Sequence, residues 1–527
     1  MQQSTHKTLY NTHGWIGIIS GILLFIVTFS GIPALFEEEL SHWQSANNPV
    51  LNVQQQDLDK ALLTAQAQGF DHSTFFIQPA SEVDGNIYIA HYPEDETPAH
   101  IVKINPNNGQ VLPEANSDMA ELLGHLHTDL HLPHPWGRYL VGFAGMAMLL
   151  AIIAGIFIHL KWRKEFVMLR PKRSWRLLLT DQHKLLGLWS LPFTLILAFS
   201  GTILGLLGLI SPILAVAAFN GDVPKATEAV LGPVATITQE YAPSQSINDF
   251  VLKQRHDMPN IEMDFIFIDG LNDKGGFIKF SGNHKSKLSN LESITYKLAS
   301  GDQVHRGSFV EKGPFQRIFA AVTPLHYVLY GNGWLKLLYA LSALAACGLI
   351  VSGNMLWLER RHGGKRNADH TKVAKNHWLG QLTLGTCGGL VVATTAVIAA
   401  SQVLRIFNLG HQQVQWEQAL FWGTWVGLIV LPFVYHNSFK LSHFMMRASG
   451  LLLLVTLLAD GLINGRWLWH SQGWVFNMQC GFLISALLCF YLDFKIPHVR
   501  EEKASKSATK NLVTTEEQDN RDLDSVA

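Results

Sequence analysis

The most constraining feature of this sequence is an apolar stretch of membrane-spanning length that occurs twice. The first copy begins at His13 and closes with Ser30-Gly31, and the second begins at His183 and closes with Ser200-Gly201. In both copies a glycine follows the histidine by four residues, and the offset from histidine to serine is identical. A helix of about twenty apolar residues crosses a hydrocarbon core of about 30 Å. Each copy is therefore predicted to be a transmembrane helix with a histidine in its first turn.

The composition agrees with a membrane protein. Of 527 residues, 48% are hydrophobic and only 15% are charged, which is too apolar for an ordinary soluble chain of this length. The formal net charge of −1 gives no basic footprint for a nucleic-acid partner. The four cysteines lie in apolar segments and no Cys-x-x-Cys-His motif occurs, so any haem would be bound non-covalently.

Two long polar stretches interrupt the apolar segments, and each has an α+β pattern. Gln54–Gln68 in the first stretch and Ser246–Gln254 in the second have helical spacing, and strand-like segments follow both. The strand-like segments are Phe75–Ile77, Asn86–Ile89, Ile101–Ile104 and Gln110–Leu112 in the first stretch, and Met263–Ile268, Gly276–Phe280 and Ser293–Leu298 in the second.

Basic residues follow the second and fourth apolar segments, and the positive-inside rule places such loops in the cytoplasm. The chain thus repeats helix, outer domain, helix and basic inner loop, which puts both polar stretches on the outer side and both termini inside. A cleaved signal peptide is the alternative for the first apolar run, although acidic residues rather than a small-residue cleavage site follow it. The predicted segments are the first span (1–36), an outer domain (37–136), spans two and three with a basic loop (137–210), a second outer domain (211–333), the fourth span (334–358), a basic loop (359–376), four C-terminal spans (377–494) and a disordered tail (495–527).

This topology sorts five histidines by their depth in the membrane. His13 and His183 share the inner leaflet, and His159, at the end of the second span, reaches the same depth. His127 and His326 precede the second and fourth spans at the outer face. Ionisable residues at membrane depth are costly and usually functional, although a single histidine at a helix end can be merely interfacial. A six-coordinate haem needs two neutral imidazoles from facing helices, and these two clusters offer such pairs.

A flat macrocycle also needs small residues where it lies against a helix backbone. Gly17 and Gly187 hold matching places in the two copies and are candidates for this role. Close helix packing of the small-xxx-small kind is the alternative for both glycines. Around the outer cluster, the sequence alone does not choose between His127 and its neighbours His125, His131 and His134.

Several motifs spread along the chain match a known family. They are Thr12-His13-Gly-Trp-Ile-Gly17, Leu126-His127-Thr-Asp-Leu130, Gly137 to Gly142, Ile158-His159-Leu-Lys161, Asp181-Gln-His183, Leu191-Pro-Phe193 and Ser352-Gly353 to Trp357 with Arg360-Arg361. Through them the sequence resembles the bacterial PepSY-associated transmembrane proteins, often described as iron-regulated inner-membrane proteins.

The resemblance implies an α-helical polytopic membrane protein of about eight spans, with a tandem-repeat four-helix haem core, two extracytoplasmic α+β PepSY-like domains and further C-terminal helices. Characterised members of the family reduce ferric siderophores in the periplasm. Carried over by position, His13, His127, His159, His183 and His326 are the haem-ligand candidates. Two bis-histidine haems need four ligands, which leaves one of the five as a neighbouring or alternate ligand.

These observations predict a b-type haem protein of the bacterial inner membrane that moves electrons outward to a ferric siderophore or other Fe(III) chelate. His13 and His183 would hold an inner haem, and His127 and His326 an outer one; no catalytic residue is assigned. No Gly-x-Gly-x-x-Gly follows a predicted strand, so a quinol or a separate reductase is a better electron donor than a bound nicotinamide nucleotide.

A second hypothesis is a non-enzymatic membrane protein. Its PepSY-like domains would bind a peptidase, a peptide or a transporter, and the helices in the lipid bilayer would be a scaffold. A third is haem-linked reduction of another outer substrate, such as a metal ion or a thiol compound. The C-terminal spans could form a quinone site, a partner surface or a scaffold.

Overall fold

The computed structural model describes most of the chain. The described residues are 3–45, 56–80, 85–93, 99–112, 117–159, 162–170, 175–222, 228, 232–233, 235–284, 288, 291–308, 313–330, 333–362, 377–410, 412–435, 437–471 and 473–495. The predicted disordered tail beyond residue 495 and most of the basic loop at 359–376 lie outside these ranges.

Most of this part of the chain is helical. In chain order the helices are α1 (Gln3–Leu35), α2 (Glu37–Ser45), α3 (Leu58–Ala67), α4 (Met119–Thr128), α5 (Trp136–Ile158), α6 (Trp162–Glu165), α7 (Trp175–Phe219), α8 (Ile247–Asp257), α9 (Pro314–Tyr327), α10 (Gly333–His362), α11 (Trp378–Thr383), α12 (Gly389–Val403), α13 (Gln412–Val434), α14 (Ser438–Asn464) and α15 (Gly473–Lys495).

Eight helical segments of the described chain are long and apolar enough to cross a membrane, which confirms the predicted number of spans. They are α1, α5, α7, α10, the pair α11–α12 joined by a π-helical turn at Leu384–Gly388, α13, α14 and α15. The helices begin earlier than predicted. His13 and His183 lie in the third turn of α1 and α7, not in the first, because the helical hydrogen bonding continues into the polar residues that precede each apolar run.

The first four spans form one bundle, in which α1 and α7 each pack against both α5 and α10. The two polar stretches begin at the C-terminal ends of α1 and α7 and return at the N-terminal ends of α5 and α10. Both stretches therefore leave the bundle at the same end, as the repeat predicted. We call this end the sheet side, and the opposite end, where α5 leads to α7, the loop side.

The two polar stretches form one sheet, which corrects the prediction of two separate α+β domains. Its strand order is β4-β3-β2-β1-β5-β6-β7-β8, antiparallel throughout. The halves join where β1 pairs with β5, with Phe75 opposite Ile268 and Ile77 opposite Ile266. The join satisfies the backbone groups of what would otherwise be two exposed edges. The strands are β1 (Phe75–Gln78), β2 (Ile87–His91), β3 (His100–Ile104), β4 (Val111–Leu112), β5 (Ile261–Asp269), β6 (Phe277–His284), β7 (Leu291–Lys297) and β8 (Gln303–Ser308), the last of which was not predicted.

A single hydrophobic core lies under the sheet. It takes buried side chains from both halves, including Phe70 and Ile77 of the first and Phe250 and Tyr296 of the second. Helices α3 and α8 also cap each other: the Asp59 carboxylate accepts from the Ile247 N–H at 2.7 Å, and the Leu58 N–H donates to the Asn248 side chain at 2.9 Å. These contacts make the two halves one structural unit.

Candidate cofactor site: two histidine pairs

The two copies of the duplicated helix bring their histidines together on the loop side. The ring centroids of His13 and His183 are 6.0 Å apart, and the ring planes meet at 79°. The Nδ1 of His13 donates to the Ala151 carbonyl of α5 at 2.8 Å, and the Nδ1 of His183 donates to the Leu349 carbonyl of α10 at 3.0 Å. A carbonyl only accepts, so the proton lies on Nδ1 and the lone pair on Nε2 in both neutral rings.

A second pair lies on the sheet side. The ring centroids of His127 on α4 and His326 on α9 are also 6.0 Å apart, and these planes are inclined by only 23°. The Nδ1 of His127 donates to the Val27 carbonyl at 2.8 Å. The Nδ1 of His326 lies 2.9 Å from the Ser200 hydroxyl, whose own proton is directed to the Ile196 carbonyl at 2.7 Å. The hydroxyl therefore accepts from His326, and all four imidazoles keep a lone pair on Nε2.

Each of the four rings lies against a glycine of a neighbouring span. In three cases this glycine follows the accepting carbonyl by four residues, so carbonyl and glycine share one helix face. Any side chain at one of these glycines would therefore bring its Cβ against the imidazole ring. Its distance to the ring would be 2.9 Å for Gly31 and His127, 3.0 Å for Gly353 and His183, 3.1 Å for Gly201 and His326, and 3.4 Å for Gly155 and His13.

The spacing of each pair fits two axial ligands of one metal ion. An imidazole nitrogen binds a first-row transition metal at about 2.0–2.1 Å, so two ligands on opposite sides place their Nε2 atoms roughly 4 Å apart and their ring centroids roughly 6 Å apart. Both observed centroid distances are 6.0 Å. Imidazoles in facing pairs are the donor set of a six-coordinate haem. These four residues therefore fit that group.

The remaining sequence candidates have other surroundings. His159 ends α5 beside His183, next to the loop-side pair rather than within it. Space next to Gly17 is open, whereas a Cβ on Gly187 would meet the Leu349 side chain at 3.3 Å. The Gly187 contact is of the helix-packing kind, and the cofactor role of both glycines stays a prediction.

His127 and two of the histidines near it have different partners. His125 hydrogen-bonds to Asp129 at 2.7 Å, and His131 hydrogen-bonds to the Leu122 carbonyl at 2.8 Å. Only His127 of the three is in ring contact with His326. The sequence analysis did not predict that these four glycines lie against the rings, although Gly31 and Gly201 belong to the Ser-Gly pairs that close the two copies.

The two pairs lie at different heights along one helix, α1. His13 and Val27, the residue that accepts from His127, are both on α1 and are separated by 14 positions. At 1.5 Å per residue this separation is roughly 20 Å. The pairs therefore span much of the ~30 Å hydrocarbon thickness of a bilayer.

Comparison with known proteins places this bundle in a family. The profile of the PepSY-associated TM region matches residues 10–360, a range that contains α1 to α10 apart from their outermost residues and holds both histidine pairs. A curated protein of Pseudomonas aeruginosa, described as uncharacterized, is 29% identical over 359 residues, which cover 66% of this chain and 88% of the relative. The match extends over well over half of the sequence, and the chain therefore belongs to the PepSY-associated TM region family.

Proposed function

We propose that this protein is a b-type haem protein that moves electrons across the membrane to an Fe(III) chelate on the sheet side. The observation that carries the proposal is the pair of facing imidazoles at each end of the bundle, both at a centroid distance of 6.0 Å. His13 and His183 would hold one haem, and His127 and His326 the other. A single pair could store an electron, but two pairs at opposite ends are the arrangement that transfer across a membrane requires.

The chain's own residues prepare the ligands. Carbonyls of neighbouring helices and the Ser200 hydroxyl accept the Nδ1 protons, which fixes each tautomer and leaves the Nε2 lone pair available to a metal ion. The glycines under the rings let the helices approach closely enough for these hydrogen bonds. A haem held in this way supplies reversible one-electron transfer.

The proposed orientation in the membrane follows from charge. Arg163, Arg170 and Arg176 lie on the loop side, so the positive-inside rule assigns that side to the cytoplasm and the sheet to the periplasm. A ferric ion in hard oxygen donors is released when it is reduced, because Fe(II) is softer. The sequence has no dinucleotide fingerprint, which favours a quinol or a separate reductase as the donor on the loop side or in the membrane.

Spectroscopy of the purified protein tests the cofactor. In detergent, protein from haem-replete cells should carry two haems per chain with a reducible low-spin b-type spectrum. His183→Ala and His326→Ala should each lose one haem, whereas His256→Ala, whose side chain is 89% exposed in the sheet domain, should keep both. Haem-free wild-type protein would overturn the proposal and favour a scaffold that binds a partner through its sheet.

The substrate needs its own measurement. Chemically reduced protein is mixed without oxygen with a ferric hydroxamate or catecholate, and haem reoxidation is followed together with trapping of Fe(II) by a ferrous-specific chelator. Stoichiometric Fe(II) release that is lost in His326→Ala supports the proposal. Reoxidation by oxygen or quinone but by no ferric chelate would exclude ferric reduction.

A further inference from the structure

Three histidines outside both pairs gather at one end of the first half of the sheet. His91 ends β2 and His100 begins β3, and the two are direct cross-strand partners. His72 comes from the segment just before β1. Residues on opposite strands at one register position project to the same face, so the three side chains share one patch of the sheet end.

The three rings are in direct contact. The Nε2 of His72 lies 3.1 Å from the Nδ1 of His100, and the rings of His72 and His91 stack at a centroid distance of 3.9 Å, nearly parallel at 9°. The Nδ1 of His91 donates to the Thr74 carbonyl at 2.6 Å, so the Nε2 of His91 carries the lone pair. The Phe70 ring packs against two of the three imidazoles, with its centroid 4.8 Å from that of His72 and 5.0 Å from that of His100.

The contacts among the three rings require at least one ring nitrogen without a proton. Stacked imidazolium ions would repel each other, and a nitrogen-to-nitrogen hydrogen bond between His72 and His100 requires one nitrogen to accept. Neutral imidazoles have the free lone pairs that metal ions bind.

The spacing also suits a shared ion. Two nitrogens 3.1 Å apart, each bound at about 2.0–2.1 Å, would subtend an angle of roughly 100° at the metal, between octahedral and tetrahedral values. No group of three or more His, Cys, Asp or Glu side chains in the described chain is already arranged to hold a metal ion. Binding by all three histidines therefore requires the rings to turn. It also requires the ring that donates the proton between His72 and His100 to move that proton to its other nitrogen, so that both facing nitrogens present a lone pair.

We propose that His72, His91 and His100 form a binding site for one divalent first-row transition-metal ion. Imidazole ligands suit Fe, Ni, Cu and Zn and exclude Ca and Mg, which prefer oxygen. The site itself is independent of the haem proposal. Its assignment to Fe(II), the product of ferric reduction on the same side of the membrane, rests on the proposed function.

Metal titration of the full-length protein in detergent tests the site. We expect the wild type to bind one equivalent of Zn²⁺, and of Fe²⁺ without oxygen, by equilibrium dialysis. His91→Asn and His100→Asn should weaken binding by more than the roughly tenfold to hundredfold that follows loss of a supporting partner in metal sites. His256→Asn, on the exposed surface of α8, is the matched control. Wild-type protein that binds no Zn²⁺, or variants that bind it as tightly as the wild type, would overturn the proposal.

A second measurement covers the case in which a variant misfolds. X-ray absorption of the Zn²⁺-loaded wild type should show a nitrogen shell at about 2.0–2.1 Å with the scattering pattern of imidazole rings. A shell of oxygen donors alone would refute the site. The haem spectrum separates the two proposals: absence of haem with intact Zn²⁺ binding defeats only the proposed function, and intact haem without Zn²⁺ binding defeats only the metal site.

Discussion

The imidazole of His127 lies directly against the backbone of Gly31. A Cβ on Gly31 would approach Cε1 of this ring to 2.9 Å, closer than real Cβ contacts allow, and Nδ1 to 3.0 Å. The same ring donates to the Val27 carbonyl one turn earlier on α1. One turn of α1 therefore fixes both the position and the tautomer of a histidine that is 100 residues away in the sequence.

Gly31→Ala should displace His127 and remove the sheet-side haem. Alanine favours a helix by about 1 kcal/mol over glycine, so any loss must come from the ring contact. Gly427→Ala on α13, where nothing lies within 4 Å of the added methyl, is the control and should leave both haems bound. Haem content per chain is the measurement, and two haems retained in Gly31→Ala would contradict this account.

Part of this arrangement could be predicted from the sequence. The pairing of His13 with His183 followed from the duplicated helix, and the strand positions followed from alternating apolar residues. The pairing of β1 with β5 could not be predicted, because edge strands separated by more than 180 residues carry no local signal for each other. The glycines against the rings were also hidden, because their role depends on which helix faces them and not on their own neighbours in sequence.

The two pairs differ in ring orientation, and the ferric haems should differ accordingly. When the two imidazole planes are parallel, both rings interact with the same iron d orbital, and the ferric haem gives a rhombic low-spin signal. When the planes are perpendicular, the two d orbitals that interact with the rings have nearly the same energy, and the signal is strongly anisotropic. The planes meet at 79° for His13 and His183 and at 23° for His127 and His326. Electron paramagnetic resonance should resolve both signals, with the anisotropic one lost in His183→Ala and the rhombic one in His326→Ala. Loss of the same signal in both variants would refute the assignment.

A buried carboxylate joins the C-terminal spans to the helix that carries His127. Glu417 on α13 is 1% exposed and accepts from the Ser117 hydroxyl at 3.0 Å, from the Asp118 N–H at 3.1 Å and from Gln413 at 2.7 Å. Ser117 and Asp118 immediately precede α4. This contact gives the C-terminal spans a positioning role.

Glu417→Ala should therefore destabilise the start of α4. It leaves the Asp118 N–H and one Gln413 amide proton without an acceptor, and a buried donor left unpaired costs about 1–3 kcal/mol. Thermal unfolding in detergent should show the loss, and the sheet-side haem should be retained less well than the loop-side haem. Gln418→Ala, the exposed neighbour on α13, should change neither property. Equal behaviour of the two variants would show that the contact does not position α4.

Substitution of Asp59 tests whether the two halves of the sheet unfold as one unit. Its carboxylate accepts from Ser246, from the Ile247 N–H at 2.7 Å and from the Asn248 N–H at 3.2 Å, and so caps α8 from the opposite half. Loss of a helix cap costs about 0.5–2 kcal/mol. Asp59→Ala should lower the stability of both halves together by this amount, measured by hydrogen exchange of β2 and β6 amides, whereas Gln66→Ala on the exposed face of α3 should not. Loosening of β6 alone would mean that the halves unfold separately.

The contacts of His125 should make the sheet-side region less stable to unfolding at alkaline pH than at neutral pH. Hydrogen bonding to Glu121, and secondarily to Asp129, raises the pKa of His125 to about 9. Because this pKa is above the ordinary value of about 6.5, the stabilisation is complete below roughly pH 6.5 and is lost as the pH rises through about 9. The wild type should therefore unfold at a lower temperature at pH 10 than at pH 7. In His125→Gln, which keeps a hydrogen-bonding side chain without the charge, the difference between the two pH values should shrink. An unchanged difference would assign the alkaline loss to other groups.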